Sequence, residues 1–216
     1  MKDLAKQFLT PSEQEQINNR VAAAEKTTSG EIVVMVVSAS NHYPTANLLG
    51  ATAISLPLSL ILTPLAGEFM WIGPQNMWVF LSIFTLLFLG FYLIIKQIPW
   101  LKRLFIYEKE IEEEVEEAAL THFYKQQLYK TRDENGILLF VSVFEHKAWI
   151  LADQAINEKL PQDTWDKIVG QMVSGIKEKR QAEAICQAVE AVGRILNRHF
   201  PIKSDDTDEL KNLIID

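Results

Sequence analysis

Ile32-Val33-Val34-Met35-Val36-Val37, residues 32–37, is an unbroken apolar run, mostly β-branched, set just behind Ser29-Gly30. A run without a polar face reads as a strand buried on both sides, not as one alternating between core and water. Such strands belong mainly to sheets covered by helices on both faces, which predicts an α/β domain. Upstream, Thr10-Pro11-Ser12-Glu13 has the chemistry of a helix start. Thr10 caps, Pro11 suits the first helical position, and Glu13 stands three residues after the cap, as a capping box requires. Ile17, Val21 and Ala24 then keep a helical spacing to about Lys26.

Downstream the composition changes abruptly. Residues 46–95 contain no Lys, Arg, Asp or His and a single carboxylate, Glu68. Residues 45–67 (TANLLGATAISLPLSLILTPLAG) and 77–95 (MWVFLSIFTLLFLGFYLII) are each near the ~20 apolar residues that cross ~30 Å of hydrocarbon, and predict two transmembrane helices. The link GEFMWIGPQN is short and contains Gly73-Pro74. It places Trp71 and Trp78 where aromatic rings favour the membrane interface, so the pair reads as a tight hairpin with both flanking segments on one side. The link carries no Lys or Arg, whereas Lys96, Lys102, Arg103 and Lys109 follow the second span. The positive-inside rule then makes both termini and the soluble domain cytoplasmic. The N-terminal residues lack the continuous apolar segment of a signal peptide. The expectation is a two-span membrane protein with the lipid bilayer as its first partner.

Beyond Pro99, residues 107–130 carry Ile111, Val115, Ala119 and Phe123 at every fourth position and predict an amphipathic helix. Its acidic face, including Glu112, Glu113, Glu116 and Glu117, is ordinarily a solvated surface; the functional alternative is a docking face for a basic protein partner. Arg132-Asp133-Glu134-Asn135-Gly136 is turn chemistry. Strands are predicted at 137–144 and 148–152, paired as a hairpin across Glu145-His146-Lys147. Helical patterns run from Thr164 and from Ala182 to His199, where Pro201 closes the last one. The division expected is a soluble domain from residues 1–41 and 106–200, a hairpin of 45–67 and 77–95, and an acidic tail, 201–216. That tail holds Ser204 to Glu209 and an extended Leu213-Ile214-Ile215.

The 216 residues are 48% apolar and 23% charged, enough to bury a core, and 28 acidic against 21 basic residues give a net charge of −7. That balance argues against a nucleic-acid partner, which calls for a basic face. Cys186, alone of its kind, excludes an internal disulfide and reads as a core thiol. His42, His122, His146 and His199 are scattered, His146 reading as a solvated turn residue. There is no HExxH, no Gly-x-Ser-x-Gly and no phosphate-binding glycine loop. What remains is a set of carboxylates at strand ends: Asp133 and Glu134, Asp153, Glu158 and Asp163. Their oxygens suit Ca²⁺ or Mg²⁺, and open α/β sheets place ligands at strand ends. The ordinary reading is that Asp133, Glu134 and Asp163 serve turns and a helix start. Asp153, directly behind a buried strand, is the leading candidate.

In this order of elements, LTPSEQEQINNRVAAAEKTTSGEIVVMVV and YKTRDENGILLFVSVFEHKAWILADQAINEKLPQDTWDKIVGQMVSGIKEKRQAEAICQAVEAVGRIL together resemble the TPM-domain family over nearly all the soluble chain. The resemblance implies an α/β/α sandwich with a small central β-sheet, here interrupted after the first strand by the transmembrane hairpin. It also implies membrane-associated relatives in bacteria and chloroplasts, for some of which acid phosphatase activity and divalent-metal binding have been proposed, the metal in the region matched by Asp153. Many relatives have a glycine-rich turn after the third strand, where this chain reads Asp153-Gln154-Ala155-Ile156-Asn157-Glu158. Two functional readings follow. The first is a membrane-tethered interaction or assembly module without catalytic residues. The alternative is a divalent-metal-dependent phosphatase with Asp153, Asp133 and Glu158 around Ca²⁺ or Mg²⁺.

Overall fold

The computed structural model describes residues 3–161, 163–202 and 210–216. The chain divides into two compact units, one made of the residues through Asn41 together with those from Ile111 onward, the other of His42–Glu110.

The first unit opens with a short helix, α1 (Leu4–Phe8), and then α2 (Pro11–Glu25). Both halves of the capping box on α2 form: Thr10 accepts from the Glu13 amide, and the Glu13 carboxylate accepts from the Thr10 amide at 2.8 Å. Strand β1 (Glu31–Val37) follows and is buried at every residue, as its sequence predicts. After the inserted second unit come α6 (Glu108–Lys125), β2 (Gly136–Ser142), β3 (Lys147–Ala152), the one-turn α7 (Gln154–Asn157), α8 (Thr164–Lys177), α9 (Gln181–His199) and β4 (Leu213–Ile215). The predicted helix over 107–130 ends five residues early. Gln127 adopts a left-handed conformation, φ 61°, which breaks the helical ladder and leaves a separate 3₁₀ turn at Leu128–Lys130.

The sheet order is β3-β2-β1-β4. β1 runs parallel to both β2 and β4, while β2 and β3 form the antiparallel hairpin. β4 was legible only as an extended tail, yet it completes the sheet: Val34 donates to the Asn212 carbonyl and Asp216 to the Val36 carbonyl, each at 2.9 Å. The acidic stretch Ser204–Glu209 lies outside the described residues. Because side chains alternate along each strand, Ile32, Val34 and Val36 join Ile137, Leu139 and Val141 in one core with Val21 of α2, Met172 of α8, and Ile185, Val189 and Leu196 of α9. Val33, Met35, Leu138 and Phe140 face the other way. There His122 of α6 stacks on Phe140, ring centroids 5.8 Å apart, and Ile111, Val115, Ala119 and Phe123 supply the buried stripe of that helix. The unit is an α/β/α sandwich, as the sequence implies.

The second unit contains α3 (Pro44–Phe69), α4 (Met77–Gln97) and the short α5 (Pro99–Arg103). Both long helices have the length and apolarity to cross a membrane. On α3 the buried positions Asn47, Ala51, Ser55, Ser59, Thr63 and Gly67 recur every fourth residue, and all but the first are small side chains or bear a compact hydroxyl. A small-residue stripe of this spacing lets helix backbones approach closely. A Cβ on Gly50 would lie 2.8 Å from the Ile95 side chain, and one on Gly67 would lie 2.2 Å from the Gly73 carbonyl oxygen, so the packing leaves no room at either. On α4 the rings of Phe80, Phe84, Phe88 and Tyr92 form a ladder with centroids 5.9–6.3 Å apart. The Ser59 and Thr63 hydroxyls donate back to helix carbonyls, so these polar groups add no unsatisfied donor.

Candidate functional site

Each end of the sheet carries polar side chains. At the end where β2 begins and β3 finishes, the Asp153 amide donates to the Gly136 carbonyl at 2.9 Å, drawing the start of α7 against the Thr131–Asn135 turn. Asn135 is buried and pins that turn to the segment before β1, its Nδ2 donating to the Ser29 carbonyl at 2.6 Å and its amide to Thr131 Oγ1 at 3.1 Å. Glu134 in the turn takes φ 51°.

Asp153 caps α7 with one oxygen, Oδ1 accepting from the Gln154 amide at 2.8 Å. Its second oxygen, Oδ2, is buried with no hydrogen-bond partner among the described residues. Burial raises the pKa of this carboxyl above its ordinary 3.8, the Gln154 hydrogen bond opposes the shift, and the nearby negative charge of Glu134 adds to it. The group is therefore a carboxyl with an unused donor oxygen in a setting unfavourable to bare negative charge.

The other predicted ligands are placed differently. Glu158 is the C-terminal cap residue of α7, and its Oε1 accepts from Gln154 Nε2 at 2.8 Å. Asp133 stands in the turn before β2, and Asp163 precedes α8 without a side-chain cap bond. Among the described residues no three His, Cys, Asp or Glu side chains form a group able to hold a metal ion. The orphaned Oδ2 fits a cation's appetite for oxygen, but one such atom is far from the six to eight oxygens Ca²⁺ takes. Among the described residues, Asp153, Asp133 and Glu158 do not gather into such a set.

The opposite end, at the carboxyl ends of the parallel strands, holds a polar cluster that the sequence did not single out. Glu145, expected only as part of the link between the two hairpin strands, is fully buried. Its Oε1 accepts from the Ser40 amide at 2.9 Å and its Oε2 from the Ser142 hydroxyl, while the Ser40 and Ser142 hydroxyls bond each other at 3.0 Å. The carboxylate thus ties the chain leaving β1 to the β2–β3 turn. The neighbouring His146 is exposed at φ 53°, in keeping with a turn residue. Only pattern-breaking could have flagged Glu145, a carboxylate directly after the apolar Val143-Phe144.

Glu112, Glu113, Glu116 and Glu117 of α6 are exposed as expected, and Glu112 pairs with Lys147 at 3.0 Å. Cys186 is buried on α9, and burial pushes its thiol pKa up, away from nucleophilic use. His122 has its pKa lowered by burial and by the charge of Lys125, which keeps the ring neutral against Phe140.

Residues 103–195 match the family model described as the TPM domain. This segment is similar to the TPM domain. The matched segment runs from the end of α5 through most of α9, and so includes α6, β2, β3 and both polar ends of the sheet. Among solved structures, the NMR structure of the BA42 protein from the psychrophilic bacterium Bizionia argentinensis is similar at a TM-score of 0.58 and 22% identity. That alignment covers 96% of this chain and 94% of the other, and at this identity the likeness is one of fold. No curated protein matches the chain.

Proposed function

We propose that this chain is an integral membrane protein, spanning the bilayer twice, whose cytoplasmic TPM domain serves as an interaction or assembly module. The observation that carries the membrane part is where apolar surface is left uncovered. Leu60, Ile61 and Leu65 on α3 and Leu86, Leu89 and Leu93 on α4 are each more than half exposed. In the most apolar stretch of α4 only 6% is buried, so this helix is not the core of a soluble unit. Hydrocarbon is the solvent that such a surface fits. Lys96 in the last turn of α4, and Arg103 and Lys109 beyond it, favour the cytoplasmic side for the TPM domain. The exposed Glu112, Glu113, Glu116 and Glu117 favour a basic protein partner for it.

Alkaline carbonate extraction together with cysteine labelling tests this. In a Cys186→Ser background, Ile202→Cys reports on the TPM domain and Trp71→Cys, 95% exposed, on the hairpin link. The chain is expected to stay in the membrane pellet, with an impermeant maleimide reaching position 202 from the cytoplasmic face and position 71 from the opposite one. Release by carbonate, or labelling of both positions from one side, refutes the two-span arrangement.

A second reading, a divalent-metal-dependent phosphatase, is favoured by one observation, the orphaned Oδ2 of Asp153. Under it Asp153 supplies one oxygen, with Asp133 or Glu158 and with backbone, water or substrate phosphate completing the sphere of Ca²⁺ or Mg²⁺. Thermal melting with and without millimolar Ca²⁺ or Mg²⁺ tests it, since a ligand at a hundredfold excess over Kd stabilises by about 2.7 kcal/mol. A shift lost in Asp153→Asn supports the reading; no shift removes it.

A further inference from the structure

The carboxyl end of β2 opens into a cavity of about 340 Å³, within the size range of small-ligand pockets. Its walls are Phe8 of α1, Val141 and Val143 at the end of β2, and Val173 and Ile176 on α8. They are aliphatic apart from one ring, and Ser142 and the exposed His146 complete the lining. Cations stand at the rim: Lys177 one residue beyond Ile176, and Lys147 at the start of β3. Lys147 is engaged with Glu112 at 3.0 Å, whereas Lys177 is exposed and takes part in no ion pair among the described residues. In open α/β sheets ligands bind outside the carboxyl ends of the strands, and this cavity lies there, beside the buried Ser142–Glu145 pair that holds its floor.

We propose that this cavity binds a medium-chain aliphatic carboxylate, its alkyl chain between Val141, Val143, Val173 and Ile176 and its carboxylate against the Lys177 ammonium. The wall chemistry selects the chain: branched aliphatic side chains offer dispersion contacts, and the Ser142 hydroxyl in the lining is already engaged by Glu145 and Ser40. The rim selects the head group. One uncommitted ammonium balances a single negative charge, and a dianionic phosphate would gain little further because Lys147 already serves Glu112. This site is distinct from Asp153, at the other end of the sheet, and stands or falls independently of the membrane-tethered module.

The test uses the full chain in lipid nanodiscs and a photoreactive decanoate, with labelled residues mapped by mass spectrometry against empty discs. Labelling is expected in residues 141–147 and 173–177, competed by decanoate and not by decylamine. Lys177→Gln, an exposed change that leaves the fold intact, is expected to weaken decanoate about fivefold, the effect of one partly screened ion pair, and to leave decanol unchanged. Val173→Trp, which fills the cavity, is expected to abolish labelling of both segments. Labelling confined to residues 44–97, or undiminished by Lys177→Gln, overturns the proposal as bilayer partitioning. Displacement of the probe by decyl phosphate about tenfold better than by decanoate overturns the head-group assignment.

Discussion

Asp153→Ser separates the two roles of one carboxyl. Oδ1 caps α7 through the Gln154 amide at 2.8 Å, and a serine hydroxyl caps equally well. Oδ2 is buried without a partner, and serine has no such atom. A buried polar atom left unpaired costs about 1–3 kcal/mol, and because the residue as a whole is only partly buried the lower end applies, about 1 kcal/mol. The substitution should therefore stabilise the α/β unit at neutral pH by about that amount. The pH dependence follows from the raised pKa. The folded state holds the proton more tightly than the unfolded state, so no charge penalty exists below the ordinary value of 3.8. The penalty grows as pH rises through the elevated folded value and is complete at neutrality. Hydrogen exchange of the β2 amides in the full chain reads this directly. Protection should increase about fivefold at neutral pH in metal-free buffer, with the gain shrinking as pH falls towards 3.8. Unchanged or weaker protection at neutral pH would refute the reasoning, because it would mean that Oδ2 is satisfied or that the aspartate cap outweighs its burial.

Three further outcomes are expected. Glu145→Ala leaves the Ser40 amide and the Ser142 hydroxyl buried without their acceptor and should lower stability by about 2–4 kcal/mol, with Glu145→Gln costing less. Chemical denaturation followed by near-ultraviolet dichroism checks the order. Gly67→Ala puts a Cβ 2.2 Å from the Gly73 oxygen, so the Ile72 amide should lose its bond to the Gly67 carbonyl and exchange freely; retained protection there speaks against the tight link. Cys186, buried and with its thiol pKa raised by that burial, should resist iodoacetamide in the native chain and react fully in denaturant; rapid native modification, seen by intact mass, contradicts the packing of α9.

Much of the architecture was legible in the sequence because it follows from local chemistry or from the periodicity of one segment. The Thr10–Glu13 capping box, the fully buried β1 and the lengths of α3 and α4 are of this kind. So is the β2–β3 hairpin, whose two runs stand side by side in the chain. The boundary at Gln127 was not legible, because its left-handed backbone is set by how the Leu128–Lys130 turn packs and not by a glycine.

What only the tertiary structure decided concerns partners far apart in the chain. Leu213–Ile215 is apolar but too short to declare itself a strand; it becomes β4 because β1, about 180 residues earlier, presents an open edge of backbone donors and acceptors. Glu145 has the composition of a surface turn and is buried because the Ser40 amide, 105 residues away, needs an acceptor. Asp153 and Glu158 share a short segment that suggests one ligand set, but the single turn of α7 commits one oxygen to a cap and the other residue to Gln154, leaving only Oδ2 unspoken for. Residue type and spacing determined most of the apolar core and which helices are long and apolar enough to span a membrane; hydrogen-bond satisfaction across long sequence separations decided which polar atoms meet.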